Sequence, residues 1–236
     1  MTTRLRLFPL NAVLFPGAVL NLHVFEPRYK QMIAECLDSG ESFGVALIAE
    51  GSEAGDPDVT PHEIGAIAEI VEVTSLPFGR YYVSTIGRER FRICEVVARE
   101  PYLTAEVEML EEDFVEDAES AGLADGLRTL FSEYLELLRH FSGKDVLPDH
   151  SADAQAFSFS VGHALQVGER IKQRLLEEGD TKERLAMERS FLERALPQMR
   201  RLVEQRERHI ARGEGGEDLA YRADQEKYFG KFFSSN

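Results

Sequence analysis

Between Leu5 and Tyr29 the chain reads LRLFPLNAVLFPGAVLNLHVFEPRY, two apolar runs separated by Phe15-Pro16-Gly17 and closed by Pro27. Leu5 and Leu7 predict a short strand that stops at Phe8-Pro9-Leu10. Proline has no N–H to give to a ladder, so Pro9 belongs at a strand end or edge. Val13, Leu14 and Phe15 make a second apolar patch, and Pro16-Gly17 predicts a turn after it. Val19, Leu20, Leu22, Val24 and Phe25, with Asn21 and His23 between them, give the period of a half-buried strand. Pro27 fits the first turn of a helix, where its missing N–H costs nothing. Met32, Ile33, Cys36 and Leu37 then recur at helical spacing, and Gly40 ends the helix.

The same alternation continues to residue 110. Residues 43–50 read as a buried strand, and Gly51–Pro61 as a loop rich in Gly, Asp, Pro and Ser. Ile64–Leu76 predicts a long strand, and Pro77-Phe78-Gly79-Arg80 a turn. Tyr81–Ile86 predicts its hairpin partner. Phe91, Ile93, Val96 and Val97 predict a further, separate strand. Tyr102–Leu110 predicts the last, with Leu103, Ala105, Val107 and Met109 on one face. Six or seven short strands and one helix suit a small, mostly antiparallel barrel.

Composition then changes. Phe114–His140 carries Leu127, Leu130, Phe131, Tyr134 and Leu138 at spacings of three and four, an amphipathic helix. Pro148 marks a loop. Ala154–Val167 and Glu169–Glu178 predict two more helices. Asp180 and Glu183 form a capping box that opens a fourth, in which Pro197 predicts a kink. Gly213-Glu-Gly-Gly216 breaks it. Tyr221, Tyr228, Phe229, Phe232 and Phe233 then lie in a polar tail.

Several of these stretches resemble the N-terminal, substrate-binding domain of the Lon protease family. They are the opening Leu-x-Leu-Phe-Pro-Leu, the Val13–Gly17 turn, Leu22-x-x-Phe25-Glu26-Pro27-Arg28-Tyr29, residues 43–46 and 64–68, and Gly87-Arg88-Glu89-Arg90-Phe91-Arg92-Ile93. The Phe-Glu-Pro-Arg-Tyr form is closer to the free-standing bacterial members than to the protease-fused ones. The resemblance spans roughly residues 4 to 200. It implies an α+β fold, a PUA-like, mostly antiparallel β-barrel followed by a C-terminal helical bundle. The expected divisions are a barrel over residues 1–112, a bundle over 113–205, and a tail over 206–236 that docks or is disordered.

The resemblance also implies recognition of polypeptide. An apolar groove between barrel and helices would hold unfolded or exposed hydrophobic segments of a client, and the tail would offer a route to self-association. The candidate binding residues are Phe78, Arg80, Tyr81 and Tyr82, clustered at one hairpin. No catalysis is expected. A phosphate-cradling loop reads G-x-x-x-x-G-K-[ST], but Gly143-Lys144 and Gly230-Lys231 lack both the upstream glycine and the hydroxyl residue. A Ser–Lys peptidase domain has no room.

Charge and cysteine content narrow the alternatives. Net charge is −15, and nine acidic residues with no Lys or Arg fall between Pro101 and Asp125. So acidic a chain repels phosphate backbones, which opposes nucleic-acid binding. A PUA-like RNA-binding module remains the rival class, because Arg80, Arg88, Arg90 and Arg92 place positive charge on the hairpin. Pairing of these with Glu89, Glu95 or the acidic stretch is the duller expectation. A third class is a small-molecule hydrolase with carboxylates gathered in a pocket. His23, His62, His140, His150, His163 and His209 include no i,i+4 pair, so neither a metal nor a cofactor is expected. Glu26 and Arg28 predict an ion pair at a helix start. Cys36 and Cys94 sit among apolar neighbours and are expected to be buried thiols, in keeping with a reducing cytoplasm. No apolar run reaches the ~18 residues of a membrane span.

Overall fold

A computed structural model of the chain describes residues 2–52, 58–112, 114–142 and 153–211. The expectations for Pro148 and for the tail beyond residue 211, with its glycine break and five aromatic residues, lie outside the described residues. The chain divides into two compact units. One takes in the chain as far as Asp113 and the stretch Lys172–Glu177. The other takes in Phe114–Ile171 and the chain from Glu178 onward.

The first unit is built on seven described strands. They are β1 (Thr2–Leu10), β2 (Val19–Val24), β3 (Phe43–Glu50), β4 (Thr60–Pro61), β5 (Ile64–Leu76), β6 (Arg80–Ala98) and β7 (Thr104–Leu110), with helix α1 (Pro27–Ser39) between β2 and β3. The hydrogen-bonded order β1-β7-β6-β5-β3 closes on itself, because β3 also pairs with β1. Closure of this kind removes the edges where the five strands pair with neighbours on both sides. All pairings are antiparallel except β1–β3. β4 attaches to β3, and β2 attaches to β6.

β1 shows how the ring tolerates proline. Its first half, Thr2–Arg6, pairs with β7, and its second half, Leu7–Leu10, pairs with β3. Pro9 therefore falls where only one side of the strand is paired, opposite Ala46. Inside the ring, Leu5, Leu7, Ala46, Phe91, Leu103, Ala105 and Val107 form one buried cluster. α1 begins with Pro27 and ends at Gly40, whose φ of 70° is the left-handed cap that glycine adopts without strain. It packs through Tyr29, stacked on Phe8 with ring centroids 3.9 Å apart. Tyr29, Met32, Ile33 and Cys36 are its buried residues; Leu37, expected on that face, is exposed.

The two strands expected over Tyr81–Ile86 and Phe91–Val97 are one strand, the 19-residue β6. Its first part lies between β2 and β5 and its later part between β5 and β7, with register shifts that let it bend. Cys94 corrects a second expectation. The pleat sends Phe91 into the core and Cys94 outward, so Cys36 is buried and Cys94 exposed, both as free thiols. Two arginines of β6 pair with carboxylates, Arg90 with the acidic stretch as expected and Arg88 with a residue of β5. Arg88 binds Glu69 through two hydrogen bonds of 2.6 and 3.1 Å. Arg90 is buried, bound to Glu112 of the acidic stretch and donating to the Leu176 carbonyl at 2.6 Å.

The second unit holds α2 (Ala118–Ser142), α3 (Ala154–Ala164), the start of α4 (Glu169–Glu177) and α5 (Thr181–Ala211). α2 begins four residues later than the periodicity suggests because Asp117 and Ser120 cap each other. The Ser120 N–H donates to Asp117 Oδ1 at 2.8 Å, and the Asp117 N–H donates to Ser120 Oγ at 3.0 Å. α3 stops at Ala164 because the Gln166 N–H goes to the Tyr134 hydroxyl, 2.8 Å away. Asp180 caps α5 as its spacing predicts, accepting from the N–H groups of Lys182 and Glu183 at 2.7 and 3.3 Å. α5 is a single element of 31 residues with Pro197 inside it. Phe131 meets Phe157 edge-on in the core of this unit, with centroids 5.9 Å apart.

Candidate functional site

In the first unit, β2, the start of β6 and the end of β5 form a three-stranded antiparallel arm. His23 pairs with Tyr82 and Val24 with Tyr81, which in turn pair with Thr74 and Ser75 of β5. Because neighbours on a strand face opposite ways, Tyr81 and Tyr82 part company. Tyr81 lies opposite buried Val24; Tyr82 lies opposite exposed His23 and is itself exposed.

A short turn, Pro77–Gly79, joins β5 to β6 at the end of this arm. Phe78 sits at its tip with φ 65° and its side chain 90% exposed. Left-handed backbone costs a non-glycine residue ~1–2 kcal/mol, and here it holds a bulky aromatic ring in water. Arg80 braces the turn. Its Nε donates to the Pro77 carbonyl at 3.1 Å, and its guanidinium lies 5.8 Å from the Phe78 ring centroid. Lys30 of α1 reaches the Phe78 carbonyl at 3.4 Å. Of the four residues expected from sequence, Phe78, Arg80 and Tyr82 therefore share the outer end of the arm, and Tyr81 faces the other way.

The structure adds a residue to this end. Phe25 follows the last residue of β2, is 58% exposed, and has its ring centroid 5.8 Å from that of His23. Its place in an apolar run made it look like one more inward strand residue. The signal for its exposure was Pro27 two residues later, since a helix start there ends the strand before Phe25.

A cavity of about 430 Å³ opens beside β2, lined by Phe8, Leu10, Leu22, Val24 and Tyr29 with His23 and Glu26 among the polar contributors. Glu26 is held by Arg28 Nε at 3.0 Å, and the Arg28 guanidinium stacks 4.6 Å from the Tyr29 ring centroid. The lining offers apolar contact and hydrogen-bonding groups. Cys36, on the same helix as Tyr29, is poorly suited to be a nucleophile: burial pushes its thiol up to about 11. Among the described residues, no three His, Cys, Asp or Glu side chains gather closely enough to hold a metal ion, and no helix is long and apolar enough to cross a membrane.

The first unit thus combines a closed barrel, a helix packed on it through Tyr29, an aromatic-tipped arm and an apolar cavity. The substrate-binding domain of the ATP-dependent protease La (LON) matches residues 4–194, and the chain belongs to that family. The Lon protease of Flavobacterium johnsoniae is 28% identical over 179 residues, which cover 74% of this chain and 22% of that protein. Lon protease 2 of Sorangium cellulosum is 29% identical over 199 residues, 80% of this chain and 24% of that one. The chain thus spans about a quarter of the length of these relatives. Among solved structures, the Lon N-terminal domain protein from Xanthomonas campestris is 30% identical, with a TM-score of 0.59 over 78% of this chain and 95% of that one. The N-terminal domain of the Mycobacterium avium complex Lon protease has a TM-score of 0.64 over 81% of this chain and 98% of that one. At 20% identity it supports the fold alone.

Proposed function

We propose that this chain recognises unfolded or exposed hydrophobic polypeptide and does no chemistry on it, with Phe78, Arg80 and Tyr82 at the contact and Phe25 beside them. Phe78 carries the reading. Phe78, held in left-handed backbone and 90% exposed, buries almost none of its surface in its own fold. Backbone strain persists where the surrounding structure imposes it, and such sites cluster at ligand clamps. Burying one such ring against a client contributes ~1.5–3 kcal/mol. Arg88 and Arg90 are engaged by Glu69 and Glu112, which takes two of the four arginines of β6 away from an RNA backbone. Two unbridged cysteines suit a cytoplasmic setting.

The test is a fluorescence-anisotropy titration with one labelled polypeptide in two states, native and reduced-and-alkylated. The unfolded form is expected to bind at least about tenfold more tightly, a difference of ~1.4 kcal/mol. Equal affinities overturn the reading.

A further inference from the structure

The aromatic-tipped arm has two open edges, and they are guarded very differently. Beyond Ala68, β5 pairs with β6 alone among the described strands, and β2 pairs with β6 alone. An open edge presents unpaired N–H and C=O groups that template another strand, and folded proteins block it with charges, prolines or bulges. The β5 edge is blocked in this way, by Glu69, Glu72 and a register shift between Ile70 and Glu72. The β2 edge is not. Val19-Leu20-Asn21-Leu22-His23-Val24 contains no Asp, Glu, Lys, Arg, Pro or Gly, and its six pairs with β6 run without a register shift.

We propose that β2 takes an extended segment of unfolded polypeptide as an added strand. This rests on the polypeptide reading above and gives its mode. The edge itself names its occupant, since a row of alternating donors and acceptors is matched by another extended backbone. A native protein offers few such backbones, because its own are already paired; an unfolded one offers them throughout. A second copy of this chain is disfavoured by charge, since each copy carries −15. Phe8, Leu10, Leu22 and Val24 line the cavity beside the strand, so alternate side chains of the added segment have an apolar place to go. Main-chain bonds would give sequence-tolerant affinity, and the cavity and aromatic tip a preference for apolar residues.

The probe is a synthetic peptide that matches the six residues of β2 in length, alternating Val and Thr with a Lys at each end, beside the same peptide N-methylated at every backbone amide. N-methylation keeps the side chains and removes every backbone donor. The plain peptide is expected to bind, the methylated one at least about tenfold more weakly. Amide exchange in Val19–Val24 should slow only with the plain peptide. Equal binding of the two overturns strand addition while leaving recognition through side chains standing. Failure of both peptides, with unfolded protein still bound, also overturns it. A sedimenting dimer whose β2 amides are protected without peptide shows a second copy on the edge, and overturns it as well.

Discussion

Gly87 of β6 lies directly against the backbone of Phe15. A Cβ on Gly87 would come within 2.1 Å of the Phe15 carbonyl oxygen. Two hydrogen bonds of 2.8 Å fasten the contact, from the Gly17 N–H to the Gly87 carbonyl and from the Gly87 N–H to the Ala18 carbonyl. The Pro16-Gly17 turn is thus clasped to the strand that carries the arm. Gly87→Ala should destabilise the fold by roughly 1–3 kcal/mol, since backbone must move to admit the methyl group. Urea unfolding of the variant checks this, with a lowered midpoint at unchanged slope as the expected outcome.

The buried pair of Arg90 and Glu112 makes a second prediction. Their side chains are 4% and 6% exposed, and Arg90 also serves the Leu176 carbonyl. Removing one partner strands a buried charge, so Arg90→Met should cost ~3–5 kcal/mol. Pairing it with Glu112→Leu should recover part of that loss. A double-mutant cycle by denaturant unfolding measures both, and strict additivity would count against a coupled pair.

Glu188 gives the fold a pH dependence. It is buried in the second unit, where Ser158 Oγ lies 3.0 Å from both carboxylate oxygens and itself accepts from Arg184 Nε at 2.9 Å. Burial raises the Glu188 carboxyl well above its ordinary 4.5, outweighing the opposing effect of the Arg184 charge. The folded chain therefore holds this proton more tightly than the unfolded chain. The resulting stability is complete below the ordinary value and is lost as pH rises through the raised one. Glu188→Gln should flatten the fall in unfolding free energy that sets in as pH rises above the ordinary carboxylate range. An unchanged slope would show that another group sets it.

Much of this architecture was legible where a single residue type leaves little choice. Pro27 and Gly40 bounded α1, Asp180 opened α5, and Pro16-Gly17 placed the first turn, each through a local backbone requirement. What was not legible depended on long-range pairing. β6 reads as two strands because Gly87-Arg88-Glu89 interrupts its apolar alternation, yet pairing on both sides holds it together. Phe25 and Cys94 look inward by their neighbours, and a strand end and the pleat turn them outward. The hairpin aromatics were visible as a cluster, but the separation of Tyr81 from Tyr82 needed their partners on β2.

The tip of the arm carries the functional reading, and its aromatic side chains can be removed with little cost to the fold. Phe25 and Phe78 are 58% and 90% exposed, so a Phe25→Ser, Phe78→Ser variant should melt at the wild-type temperature. The deciding measurement is the affinity of this variant and of the wild type for the same labelled, reduced-and-alkylated polypeptide. Recognition at the tip predicts a loss of at least about tenfold, ~1.4 kcal/mol, at unchanged Tm. Identical affinities in the two proteins would contradict it.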